Sequence, residues 1–241
     1  MTITIPLVVT TRWQTVVNAI TLPALALAIW LASTSVSWWW LALSFAVYSM
    51  MNISVAVGYH QLFTHRSFAT SKFWESLFAI IGTLAFQGSP VAWVHLHYAH
   101  HLTSDTEKDP HIRDWWFFFI KQYRPVSLPP SGVVKRMLAS PLHRTLHRYG
   151  VVWCLALAAA LLAIDPLVLL YGYLAPVGYF FLAIACHQIF THVGNKPVNA
   201  YWLIPLFPWG DWVHIPHHDH PNEWRKGGWC LSYYLIPWIE T

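Results

Sequence analysis

Charge is scarce in this sequence. Asp, Glu, Lys and Arg make up 10% of its 241 residues, against roughly 25% in ordinary globular domains, which argues against a conventional soluble fold. Cysteine is scarce as well. Cys154, Cys186 and Cys230 lie far apart with no C-x-x-C pair, so they supply neither a disulfide framework nor a thiolate metal site. The Glu-x-x-His pairs that soluble carboxylate-bridged di-iron bundles place on facing helices do not occur. A formal net charge of +4 on a chain this apolar fits a membrane protein with a basic cytoplasmic side and excludes a nucleic-acid partner. No repeat period of about 20 to 50 residues is present, so a solenoid or other array is excluded too.

What is abundant is apolar sequence and histidine. Hydrophobic residues reach 56%, and 15 histidines outnumber both the 10 acids and the 14 Lys and Arg residues, an excess that core packing does not require. Apolar runs at about residues 16–35 and 38–57, and again at about 151–164 and 167–189, read as two transmembrane hairpins, given the roughly 20 residues needed to cross the hydrocarbon. The alternative for the second pair is one bent or re-entrant element. The first run is read as a retained helix and not a signal peptide, because a second follows it almost at once. Trp38, Trp39 and Trp40 at the first turn suit an interfacial belt. Residues 72–87 form a shorter apolar run with Glu75 inside it, expected as a helix against the membrane surface or the bundle. An aromatic patch at residues 115–120 is expected at the interface, and residues 121–148 as an exposed connection with His143 and His147 solvated. The expected architecture is a single all-α integral membrane domain over residues 1–241, with four spans and cytoplasmic helices. All Lys and Arg residues lie outside the two hairpin turns, so both termini and every histidine block are expected on the cytoplasmic side.

Histidine gathers in four places: H-Q-L-F-T-H at 60–65, H-Y-A-H-H at 97–101, His192, and H-I-P-H-H at 214–218. At about 100° per residue, His97, His100 and His101 share one arc of a helix and can point at the same place. His60 and His65 lie about 140° apart on an α-helix, splayed enough to flank a pair of ions. Imidazole alone does not choose among zinc, copper, iron and nickel. Nine histidines are too many for one zinc ion, which takes three or four protein ligands, but suit two ions with about four or five nitrogens each. An all-nitrogen pair of metals at a membrane face suggests iron used for dioxygen chemistry on a lipid-borne substrate.

The segments G-Y-H-Q-L-F-T-H-R-S-F, W-V-H-L-H-Y-A-H-H-L-T-S-D-T-E-K-D-P-H and W-G-D-W-V-H-I-P-H-H together resemble the membrane fatty acid desaturases of the stearoyl-CoA (delta-9) type. The acidic D-T-E-K-D-P-H extension is more diagnostic than the histidine boxes themselves. The resemblance implies two iron ions held by His60, His65, His97, His100, His101, His192, His214, His217 and His218. It implies an asparagine at the place held here by Gln188, beside His187, and an arginine at the place of His95, which becomes a candidate for supporting the site or for a headgroup contact. Asp105, Asp109, His111 and Asp211 are expected to orient ligands. Tyr48 and Asn52 are candidates for the wall of a tunnel that takes the acyl chain's methyl end, with ordinary helix packing as their bland alternative.

The implied reaction places a cis double bond, at delta-9 in this family type, in a saturated fatty acyl chain, consuming dioxygen and two electrons. The acyl group can arrive on CoA, a glycerolipid or acyl carrier protein, and the electrons come from a separate ferredoxin or b-type cytochrome. The rival readings are a di-iron lipid hydroxylase or ketolase and, from another class, a metal-binding membrane transporter. The near absence of charge inside the spans weighs against transport.

Overall fold

The computed structural model describes residues 11–111, 123–124, 126, 128–194, 196–210 and 212–241. The expected interfacial patch at 115–120, and Asp211, lie outside the described residues. Among the described residues there is no strand, and four helices are long and apolar enough to cross a membrane: Thr15–Thr34, Trp39–His65, Pro141–Ile164 and Pro166–Phe190. The four expected spans are therefore present, and the third and fourth are separate helices, not one bent element.

Helix α1 (Thr11–Thr34) runs for about 36 Å at 1.5 Å per residue. Helix α2 (Trp39–Ile53) returns from a short turn, where Trp38 and Trp39 stack 3.9 Å apart and stay exposed. Helix α2 continues without a break as a π-helical segment, Ser54–His65. Helix α3 (Lys72–Leu84) packs on that segment, as expected of a helix lying on the bundle. Helix α4 (Pro90–Thr103) starts where Ser89 accepts a hydrogen bond from the Ala92 amide and Pro90 takes the first position, a start signal legible in S-P.

Residues 128–148 differ from expectation. Helix α5 occupies Gly132–Ala139, and helix α6, Pro141–Ile164, begins ten residues before the apolar run does. His143 and His147 are consequently not solvated. His147 Nδ1 meets Ser89 Oγ at 2.8 Å, and the His143 ring packs edge-on to Phe63 at 5.4 Å. Apolar periodicity marks where a helix enters lipid, whereas a helix continues into water wherever packing supports it.

The fourth span is α7 (Pro166–Leu169), a five-residue π-helical turn (Leu170–Leu174) and α8 (Ala175–Phe190). Asp165 caps its start by accepting from the Leu167 amide at 2.6 Å. Irregular backbone at membrane depth must be satisfied by protein, and here Ser44 Oγ donates to the Tyr171 carbonyl at 2.6 Å while Tyr171 Oη donates to the Ala28 carbonyl at 2.7 Å. The tail adds helix α9 (His214–Asp219) and helix α10 (Ser232–Ile239). The Thr241 amide donates to the Ala69 carbonyl at 3.0 Å, tying the tail to the segment after His65.

Helix α1 lies along α8, and Gly178 sets their separation: a β-carbon there would stand 2.3 Å from the Thr21 carbonyl oxygen. Backbone cannot yield as a flexible side chain can, so Gly178→Leu forces the helices apart. Overpacking of this kind costs about 1–3 kcal/mol, and the detergent-solubilised protein is expected to unfold several degrees lower. An unchanged midpoint would show that the two hairpins do not depend on this contact.

Candidate metal centre

Each histidine block arrives on a different element at one end of the spans. The π-helical segment brings His60 and His65, α4 brings His97, His100 and His101, the chain just beyond α8 brings His192, and α9 brings His214, His217 and His218. They form two groups. In one, a nitrogen from each of His60, His65, His97, His101 and His217 lies within 4.8 Å of the others; in the second, the same is true of His100, His192, His214 and His218.

Two details depart from the sequence reading. His60 and His65 do not flank two ions but face one group. A π-helix bonds each residue to the fifth one back, so positions 60 and 65 stack on a single face instead of standing 140° apart. The register is fixed at its end by Arg66, whose amide bonds to the Gln61 carbonyl at a left-handed φ of 53°. Conversely, the three histidines of α4 do not point at one place. His97 and His101 join the first group and His100 the second, because the 100° step from 100 to 101 spans the gap between groups.

The spacing suits metal ligation. Nε2 atoms approach at 3.1 Å for His60 and His217, for His65 and His97, and for His97 and His101, at 2.9 Å for His101 and His217, and at 2.7 Å for His192 and His214. Two imidazoles bound to one ion at roughly 2.0–2.1 Å and near a right angle have nitrogens about 3 Å apart. Among the described residues, buried Nε2 of His100 has no hydrogen-bond partner, while its Nδ1 is tied to Asp109, so a lone pair is left for an ion. Burial first, and neighbouring imidazoles second, hold His97, His100, His214 and His217 well below their ordinary pKa, and burial followed by His218 lowers His101 to about 3. The rings are therefore neutral at pH 7, the state that ligates.

The D-T-E-K-D-P-H loop supplies the other side of two rings. Asp109 Oδ1 accepts from His100 Nδ1 at 2.9 Å and from the His111 amide at 2.9 Å. Asp105, at a left-handed φ of 64°, places Oδ1 3.1 Å from His192 Nδ1 and accepts from Ser104 Oγ on Oδ2. A carboxylate on Nδ1 fixes the tautomer that leaves Nε2 free. His111 lies beside His100, with ring centroids 4.1 Å apart, and forms a third close group with His100 and Asp109.

A cavity of about 50 Å³ lies against both groups; Asn52, Phe180, Ile184, His187, Gln188 and His111 are in its wall. Gln188 is buried, donates to Tyr123 Oη at 3.3 Å and leaves Oε1 without a partner among the described residues. The His187 ring lies 5.1 Å from that of His214. Tyr48 is not in this wall. Its hydroxyl donates to the Leu206 carbonyl and accepts from Asn52 Nδ2, the latter at 3.3 Å, so of the two tunnel candidates only Asn52 borders the cavity. His95 is buried on α4 outside both groups, with Nδ1 unpartnered among the described residues. Sequence reasoning missed Tyr123 and Lys226, whose Nζ lies 3.1 Å from His217 Nδ1; neither falls in a histidine block.

No family model matches the chain. Individual relatives do. An sn-1 stearoyl-lipid 9-desaturase from Anabaena variabilis is 29% identical over 189 residues, covering 73% of this chain and 69% of its own. The delta-9 desaturase-like 5 protein of Arabidopsis thaliana is 27% identical over 256 residues, 95% of this chain and 83% of its own. The chain is a homologue of the acyl desaturases. An acyl-CoA delta(11) desaturase from Trichoplusia ni, 26% identical over 223 residues, covers 82% of this chain and 63% of its own, so the desaturase relatives span lipid-linked and CoA-linked substrates and more than one bond position.

Acid is expected to dismantle this desaturase homologue's centre. His101 has a folded pKa of about 3 against about 6.5 unfolded, so below pH 6.5 the unfolded chain binds the extra proton and stability falls with pH down to about 3; above 6.5 this contribution is complete. Protons also compete with metal for the same lone pairs, so both effects have one sign. The unfolding midpoint and the metal content should both drop between pH 7 and 5. A flat midpoint over that interval would mean that the rings are not buried in the neutral form.

Proposed function

We propose that the chain is an oxygen-dependent acyl desaturase that holds two iron ions, one in each histidine group. The observation that carries this reading is the division of nine imidazoles into groups of five and four at one end of two apolar hairpins, in a homologue of acyl desaturases. Ligands all of nitrogen, with a cavity beside them lined in part by residues of the spans, suit dioxygen chemistry on a substrate delivered from lipid. When bound, the iron pair supplies the oxidising power that removes two hydrogens from an unactivated saturated chain, with dioxygen and two external electrons consumed.

The chain's own groups have separable tasks in this reading. The nine histidines hold the metals. Asp105 and Asp109 keep His192 and His100 in the ligating tautomer, and Gln188, anchored by Tyr123, turns its carbonyl oxygen toward the cavity. Asn52 and Phe180 border the place where an acyl carbon is brought to the centre. Lys and Arg in the termini and the middle segment favour a cytoplasmic histidine face, where a ferredoxin or a b-type cytochrome can deliver electrons. The double bond is proposed at delta-9, on an acyl-CoA or lipid-linked substrate.

The test is expression in cells of known lipid profile, followed by mass spectrometry that locates new double bonds. New cis-monounsaturated acyl chains are expected. An iron-loaded, reducible protein that leaves lipids unchanged would defeat the reading, and a hydroxylated product would transfer it to a hydroxylase of the same metal chemistry.

A further inference from the structure

A second cavity, of about 270 Å³, lies away from the histidine groups, where the π-helical segment, α3, α5 and α6 meet. Leu62, Phe63, Val133 and Met137 make its apolar part. Its polar part holds three cations, Arg66, Lys72 and Arg136, against one carboxylate, Glu75, which pairs with Lys72 at 2.6 Å. The guanidinium groups of Arg66 and Arg136 make no hydrogen bond or ion pair among the described residues. His143 is in the same wall, and both of its ring nitrogens are buried without a partner among the described residues. A buried imidazole with neither nitrogen satisfied is costly unless something supplies an acceptor. The left-handed backbone at Arg66 is an uncommon conformation for a residue with a side chain, and the π-helical register holds it there.

We infer that this cavity is a binding site for a phosphate-bearing anion, and that its occupant is the headgroup of an anionic membrane phospholipid. Two guanidinium groups without partners match the oxygens of a phosphate, and His143 offers one further donor. The lipid is favoured over a soluble phosphate by position. Arg66 directly follows one span and His143 lies in the first turn of another, which puts the cations at headgroup level, and the apolar wall suits the start of an acyl chain. Basic pockets between transmembrane helices hold headgroups in this way. The site requires no metal and is separate from the proposed catalysis.

The test uses the full-length chain in detergent, with native mass spectrometry reading bound phosphatidylglycerol and phosphatidylcholine, and inorganic pyrophosphate as a soluble arm. Phosphatidylglycerol is expected to bind the more tightly. At about 1 kcal/mol per cation near the surface, the double variant R66Q/R136Q should weaken it by roughly 10–30-fold. R136Q alone, on the exposed face of a short helix, guards against a folding artefact and should weaken it by several-fold. E75Q removes the opposing carboxylate and should tighten binding, which no unfolding could imitate. Equal binding of the two lipids, or indifference to all three variants, overturns the site. Pyrophosphate binding with the same variant dependence, but no lipid selectivity, overturns the headgroup assignment.

Discussion

With His214 replaced by alanine, the protein is expected to retain one iron tightly and lose the second, and double-bond formation is expected to fall by at least about a hundredfold. His214 stands in the group of four, with its Nε2 2.7 Å from that of His192 and 3.0 Å from that of His218. Removing it leaves three imidazoles. Loss of a group that merely supports a ligand typically costs about 10–100-fold in metal affinity or activity, and loss of the ligand itself should exceed that. His65→Ala takes the other group only from five to four, so its iron should be retained better and its loss of activity should be smaller. His220→Ala, outside both groups, serves as the control. Metal analysis of the three purified variants, together with lipid mass spectrometry, decides the matter. Full iron and full activity in His214→Ala would remove this residue from the centre.

Asp109→Asn is expected to accelerate iron loss to a chelator and to lower activity, each by about 10–100-fold, although the residue touches no proposed metal. The carboxylate is buried, accepts from His100 Nδ1 and from the His111 amide, and takes the Asp105 amide on its second oxygen at 3.3 Å. Asparagine preserves the volume but removes the charge that favours the Nδ1 proton and strengthens Nε2 as a donor. One of its ends also becomes a donor facing a donor. Asp105→Asn should act in the same way through His192. The readout is the rate of metal transfer to a chelator at fixed pH, followed beside the unfolding midpoint so that unfolding and loss of tuning are distinguished. Chelator kinetics equal to those of the unaltered protein would reduce both acids to loop-stabilising residues.

The number of spans, the all-helical class and the four histidine blocks are written in the sequence because each is local. A run of apolar residues long enough to cross hydrocarbon has few alternatives in lipid, where every backbone group must be satisfied within the segment. The start of α4 is equally local, in Ser89 and Pro90, and so is the acidic loop, since Asp105 and Asp109 lie within nine residues of His100. What periodicity could not supply was the π-helical register. It changes the bonding partner by one residue, which moves His65 onto the face of His60 without leaving a mark in the hydrophobic pattern.

The sequence by itself determined that nine imidazoles would gather at one end of two apolar hairpins. Only the tertiary structure decided their division into five and four. That division depends on how closely the π-helical segment, α4 and α9 approach one another, and on a single 100° step between His100 and His101. The contact of Gln188 with Tyr123, 65 residues earlier in the chain, is likewise set by packing. Side-chain direction along one helix follows from spacing, but which ring meets which across helices follows from packing, and packing is a property of the whole fold.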